Sequence, residues 1–147
     1  ERDIKIQDII STGIVMNSEI SPQLLCNIFV PNTPLHDGAI IIRGDRIVSA
    51  TCYLPLSDNM GLSKELGTRH RAGIGITEHS DAVALIVSEE TGIISMAVDG
   101  KLQRFLDTKT VEKALLQLYL NEGEFGGRKA VLPEFLSKIW RKNDAEK

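Results

Sequence analysis

The chain has 147 residues, 42% hydrophobic and 25% charged, with a formal net charge of −3, a composition near the globular mean and far from that of disordered chains. Its length predicts one domain that buries about 68% of its unfolded surface, enough for a core without disulfide or metal staples. No membrane span is expected, because the longest apolar run, Ala82 to Val87, has six residues where roughly 20 are needed; no nucleic-acid partner is expected either, because no block of Lys or Arg offsets the negative balance, although a locally basic phosphate pocket stays open.

Residues Glu1 to Ile10 are charged and alternating, without the basic stretch and apolar core of a signal peptide, which favours an intracellular setting. Ser21-Pro22 reads as a helix start, serine at the cap and proline in the first turn, and Leu24, Leu25, Ile28 and Phe29 then share one face. Pro31-Asn32-Thr33-Pro34 ends that helix in a turn. Ala39 to Arg43 and Arg46 to Leu54 are β-rich runs joined by Gly44-Asp45, a connection suited to a hairpin. Ser63 to Thr77 is expected to be helical in its second half, although Gly67, Gly73 and Gly75 weaken its propensity.

A second hairpin follows, Ala82 to Ser88 and Ile93 to Val98 around Glu89-Glu90-Thr91-Gly92, and Asp99-Gly100 turns the chain into Leu102. Thr110 to Leu120, with Val111, Ala114, Leu115 and Leu118 at helical spacing, and Pro133 to Trp140 are further helices. No internal repeat interrupts this order, and the first linker-like stretch is Asn121 to Gly127. Interleaved strands and helices predict an α/β fold, a single globular domain with a central mixed β-sheet flanked by helices on both faces. Cys26 and Cys52 lie in an apolar helix pattern and a strand pattern, without CxxC spacing, so both are expected to be buried thiols.

Familiar catalytic strings are absent: there is no P-loop, no GxSxG, no HExxH and no complete GxGxxG. Three clusters remain, each at a turn or helix start beside an apolar strand. In Leu35-His36-Asp37-Gly38-Ala39 an imidazole and a carboxylate adjoin a glycine. Asp-Gly before a strand is ordinary turn chemistry, yet Asp37 also suits a divalent cation or the proton of a hydroxyl nucleophile. In Gly67-Thr68-Arg69-His70-Arg71 two guanidinium groups stand at a helix N-terminus, where cations are disfavoured unless an anion joins them. A polyphosphate answers that, and so do ion pairs with Glu65 or Glu78. Ser88-Glu89-Glu90-Thr91-Gly92 is either a solvated hairpin turn or a place where Ser88 donates to phosphate and a carboxylate holds metal. Tyr53, at a strand end beside Leu54, offers a flat face for a base or a core side chain.

In combination these clusters specify a nucleoside triphosphate with its cation. The blocks Pro31-Asn32-Thr33-Pro34-Leu35-His36-Asp37-Gly38-Ala39, Cys52-Tyr53-Leu54-Pro55-Leu56-Ser57, Ser63-Lys64-Glu65-Leu66-Gly67-Thr68-Arg69-His70-Arg71-Ala72 and Val87-Ser88-Glu89-Glu90-Thr91-Gly92 resemble the DAC-domain diadenylate cyclases, which make cyclic di-AMP, and most closely their membrane-anchored CdaA class. The Asp-Gly-Ala and Arg-His-Arg triplets are the signature pair of that family, and the resemblance runs from about Thr12 to Leu106.

The resemblance implies condensation of two ATP into one cyclic di-AMP with release of two pyrophosphates, dependent on Mn, Mg or Co. By carry-over Asp37 binds metal and helps deprotonate the ribose 3′-hydroxyl with His36 beside the cation, and Gly38 and Ala39 lie against the nucleotide. Thr68, Arg69, His70 and Arg71 hold the triphosphate, Ser88 and Glu90 complete the phosphate and metal shell, and Tyr53 with the Leu54 backbone contacts adenine. Ring closure needs two in-line transfers between opposed sites, so one motif set per chain predicts a face-to-face homodimer. The family implies a YbbR-domain regulator and phosphoglucosamine mutase as partners. It also implies anchoring at the cytoplasmic face of the membrane through helices that precede Glu1, together with a further helix and strand of the cyclase domain there. The expected division is a catalytic domain over 1–106 and a helical extension over 107–147. The competing function is a sensor that binds ATP or cyclic di-AMP in the same pocket without turnover.

Overall fold

In the computed structural model, which describes residues 1–2 and 4–124 and gives the last six of these by backbone alone, the elements follow in a simple order. They are α1 (Gln7–Ile10), β1 (Ile14–Glu19), α2 (Pro22–Ile28), β2 (Ala39–Arg43), β3 (Arg46–Cys52), α3 (Thr68–His79), β4 (Val83–Val87), β5 (Ile94–Val98), β6 (Lys101–Leu106) and α4 (Thr108–Glu124). The expected helix over Pro133 to Trp140, and most of the expected extension over 107–147, lie outside the described residues.

The start of α2 follows from its first two residues. Ser21 Oγ accepts a hydrogen bond from the Leu24 amide at 3.1 Å while Pro22 takes the first turn, where no amide proton is missed. Only Ile28 of its expected inward face is buried; Leu24 and Leu25 are half-buried and Phe29 is exposed. Cys26, two residues and about 200° of helix from Ile28, is exposed. The expectation of two buried thiols therefore holds for Cys52 alone.

The strands form two three-stranded ladders, β1-β3-β2 and β4-β5-β6, and every described pairing is antiparallel. The single α/β domain stands, but the central mixed sheet is resolved into two antiparallel ladders. The reason is local: β2–β3, β4–β5 and β5–β6 are each joined by a tight turn, and a tight turn can only return the chain antiparallel. At the last of these, Asp99 and Gly100 both take left-handed φ, 50° and 72°, the geometry that matches strand twist.

β1 escapes sequence periodicity because it is an irregular edge strand. Ile14 and Val15 are exposed, and the register shifts between Val15 and Ser18 where Asn17 takes φ 47°. The Arg46 guanidinium clamps this bulge through the Asn17 side chain, at 2.8 Å, and its carbonyl.

Three cores hold the helices to the ladders. Ile6 and Ile10 pack with Ile41, Cys52, Ile76 and Ala82, joining α1, the first ladder and the end of α3. Ile74 of α3 packs on Ile86 and Ala97, while Ala114 of α4 packs on Met96 and Val98, so α3 and α4 lie against opposite faces of the second ladder. The helical spacing read for α4 holds: Ala114 and Leu118 are buried, Val111 and Leu115 half-buried.

Candidate functional site

The turn into β2 is shaped by β3. Gly38 takes φ +83°, and a Cβ there would stand 2.8 Å from the Thr51 carbonyl carbon. Glycine is therefore required by the strand itself, whatever else approaches it. Ala39 faces Cys52 and Ile41 faces Ser49, so Ala50 and Thr51 together oppose Ile40, a bulge at which Thr51 takes φ 55°. That irregularity ends the hairpin where His36 and Asp37 emerge. Asp37 is exposed, and one carboxylate oxygen accepts the Gly38 amide at 3.0 Å. His36 Nδ1 lies 2.7 Å from the Thr33 carbonyl oxygen. A carbonyl can only accept, so Nδ1 carries a proton and Nε2 is the ring nitrogen left to face a ligand.

From the end of β3 the chain runs on through Tyr53 and Leu54 to α3. Tyr53 is 71% exposed, held by its amide to Thr12 Oγ1 at 2.9 Å, and Leu54 packs on the first core. The Tyr53 ring is therefore a free aromatic face and not a core side chain. Residues 55–57 cross α3 at Gly75, where a Cβ would come within 2.1 Å of the Pro55 oxygen and 2.7 Å of the Ser57 nitrogen. The crossing is tied by the Ser57 amide donating to the Arg71 carbonyl at 3.0 Å and the Ser57 hydroxyl donating to Glu78 Oε1 at 2.7 Å. The glycine that weakens helix propensity thus admits the neighbouring strip.

The first turn of α3 carries the second cluster. Gly67 occupies the cap position without a side-chain hydrogen bond, no acidic residue stands in the first turn, and Thr68 is exposed. The three residues that follow diverge. Arg69 Nη2 lies 2.7 Å from Glu89 Oε1. His70 is buried, its Nε2 3.3 Å from Ser95 Oγ on β5. Burial first, and the nearby Arg104 charge second, hold its pKa below the usual histidine value. Arg71 is half-buried and has no ion-pair partner among the described residues. The alternative partners Glu65 and Glu78 are not used for Arg69; Glu78 instead takes the Ser57 hydroxyl.

The third cluster closes the β4–β5 turn. Ser88 donates its amide to the Ile93 carbonyl at 3.0 Å, accepts the Gly92 amide at 2.9 Å, and its Oγ accepts the Thr91 amide at 3.3 Å. Its hydroxyl proton is left to donate, while Glu90 stands exposed. The structure thus brings the second and third clusters together through Arg69–Glu89, and links the first to the second through β3 and residues 53–57. It does not bring His36, Asp37 and Glu90 into one shell: no group of three His, Cys, Asp or Glu side chains able to hold a metal ion is found among the described residues. His36 and Asp37 lead into β2 of the first ladder, and Glu90 lies in the β4–β5 turn of the second. Nor does His70 share the exposed front of α3 with its two neighbours. Thr12 and Ser95 were not legible as site residues, nor was Glu89 as the partner of Arg69, because each contact joins residues distant in sequence.

A family profile described as DisA bacterial checkpoint controller nucleotide-binding, the DAC family, matches residues 1–102. The chain belongs to the DAC family. Among similar proteins, the DAC chain is 57% identical over 116 residues to a Listeria monocytogenes protein named diadenylate cyclase, covering 79% of this chain and 42% of that protein. It thus spans less than half the length of that relative. The crystal structure of DacA from Staphylococcus aureus, an N166C/T172C double mutant, superposes with a TM-score of 0.78 at 55% identity, over 80% of this chain and 78% of that one. A Bacillus cereus structure described as a hypothetical membrane spanning protein superposes with a TM-score of 0.70 at 46% identity, over 73% and 52%. Among the described residues of the DAC chain no helix is long and apolar enough to cross a membrane.

Proposed function

We propose that the protein to which this chain belongs is a diadenylate cyclase that joins two ATP into cyclic di-AMP and releases two pyrophosphates. One observation carries the reading: the 57% identity to a protein of that name over 116 residues. The uncapped start of α3, with Arg69 and Arg71 beside free amide groups, supports it chemically.

In each transfer a ribose 3′-oxygen attacks the α-phosphorus of the opposite ATP, the bond from that phosphorus to the pyrophosphate oxygen breaks, and the hydroxyl proton passes to a base. Asp37 is the proposed base, since it is exposed and only one of its oxygens is engaged by the chain. Arg69 and Arg71 meet the charge of the departing pyrophosphate together with the α3 amides and the Thr68 hydroxyl, and Ser88 donates to a phosphate oxygen. Tyr53 lies along adenine with the Leu54 backbone at its edge, and Gly38 and Ala39 pass close to the nucleotide.

A divalent cation, manganese, magnesium or cobalt, fits the exposed Asp37 oxygen and His36 Nε2, with phosphate oxygens proposed to complete the shell. When bound it would neutralise charge growing on the reacting phosphate. Because one chain carries one set of these residues and the ring needs two opposed transfers, the active species is a face-to-face dimer. The whole protein is proposed to be held at the cytoplasmic face of the membrane by segments outside this chain, a reading supported by the description of the Bacillus cereus relative.

The test is incubation with ATP and manganese and mass analysis of the product. Cyclic di-AMP is expected with one pyrophosphate per ATP consumed, at a rate rising faster than linearly with protein. Asp37→Asn should remove the product without lowering the melting temperature. Turnover by that variant at the normal rate would remove Asp37 from the role of base.

A further inference from the structure

The first turn of α3 is tied down on three sides. On one flank Arg69 meets Glu89 of the β4–β5 turn at 2.7 Å, and on another the Arg71 carbonyl accepts the Ser57 amide at 3.0 Å. Underneath, His70 meets Ser95 of β5 at 3.3 Å. The first tie lies at the surface, where water competes, and the second joins backbone to backbone. The third is dry: His70 is 7% exposed and Ser95 fully buried.

Residues 69 and 71 each leave the helix about 100° from residue 70, so the direction in which residue 70 is pinned sets the direction of both guanidinium groups. We propose that Ser95 is a positioning residue for nucleotide binding and turnover, acting through His70 to hold Arg69 and Arg71 in the orientation that receives the triphosphate. Ser95 sits opposite Ile86 on β5, the central strand of the second ladder, with Ile86 packed under α3, so the hydroxyl is carried by a strand that is paired on both sides. His70 is thereby a strut between two phosphate-binding arginines and not a third phosphate ligand, and its neutral ring accepts from or donates to the serine without importing a buried charge. This rests on the cyclase reading.

Ser95→Ala leaves His70 without its partner and lets the turn shift. A displacement of about 1 Å in a positioned group can cost on the order of 100-fold in rate, and the expected result is a fall in kcat/KM for ATP of about 10-fold or more, divided between a higher KM and a lower kcat. Thr77→Val is the control: Thr77 is equally buried on α3, seven residues beyond His70, where its hydroxyl donates to the Ile74 carbonyl and accepts the Gly100 amide. It should lower the melting temperature comparably and leave KM and kcat unchanged.

Ser95→Ala introduced into His70→Phe should cost nothing further, because the strut is already gone. If Ser95→Ala keeps wild-type KM and kcat, or if its effect and that of His70→Phe multiply independently, the proposal fails and His70 acts directly or only in packing. Cyclic di-AMP made by the unaltered protein keeps either failure separate from failure of the cyclase reading.

Discussion

Gly75→Ala probes the crossing on which the site depends. Ala is the better helix former by about 1 kcal/mol, so propensity alone predicts a more stable protein. The structure predicts the reverse. The new Cβ would stand 2.1 Å from the Pro55 oxygen, 2.7 Å from the Ser57 nitrogen and 2.8 Å from the Leu56 carbonyl carbon, where ordinary contact starts near 3.4 Å. All three obstacles are backbone and cannot turn aside as a side-chain tip would. Either α3 lifts off or residues 55–57 move, which breaks the Ser57–Arg71 hydrogen bond.

Overpacking of this kind costs roughly 1–3 kcal/mol and the lost backbone bond about 1 kcal/mol more, so a net destabilisation of roughly 1–3 kcal/mol remains after the propensity gain. For a chain of this size that corresponds to a drop in Tm of roughly 2–12 °C, measured by calorimetry or circular dichroism. Gly67→Ala, on the same helix with nothing within 4 Å of its would-be Cβ, should change Tm by far less. A Gly75→Ala protein as stable as the parent, or more so, would refute the close crossing as the reason for glycine at 75.

Two further outcomes are expected. Ser21→Ala removes the hydroxyl that accepts the Leu24 amide and should cost about 1 kcal/mol in chemical denaturation; an unchanged midpoint would mean that α2 does not depend on its cap. The pH dependence of stability should carry the mark of His70, whose folded-state pKa lies below the ordinary 6.5 because of burial and Arg104. As pH falls below about 6.5 the unfolded chain takes up a proton that the folded one refuses, so stability is full above that pH and declines toward the lowered folded pKa. Denaturation midpoints between pH 7 and 5.5 should therefore fall in the parent and fall less in His70→Phe; equal slopes would show that His70 titrates normally.

Local chemistry made most of the fold legible. Ser21-Pro22 marks a helix start because the cap and the first turn are satisfied within four residues, and Asp99-Gly100 marks a turn because left-handed φ favours those residue types. β1 was not legible, since an exposed edge strand bulged at Asn17 shows no alternation. Cys26 was misread because a seven-residue helix buries one narrow face, and which residues fall on it depends on what lies beneath.

At the site, the residue types Asp37, Arg69, Arg71 and Ser88 carry their own chemistry, and their neighbours along the chain already mark turns and a helix start. From sequence alone one could therefore read an α/β domain and expect phosphate chemistry at two turns and a helix start. Which side chains meet was decided only in three dimensions: Arg69 takes Glu89 and not Glu65 or Glu78, His70 turns inward to Ser95, and Gly75 is there for Pro55 and Ser57. Capping, turns and periodicity act over a few bonds and leave their mark in adjacent residues. Packing joins residues up to dozens of positions apart, and distance along the chain carries no record of which surfaces meet.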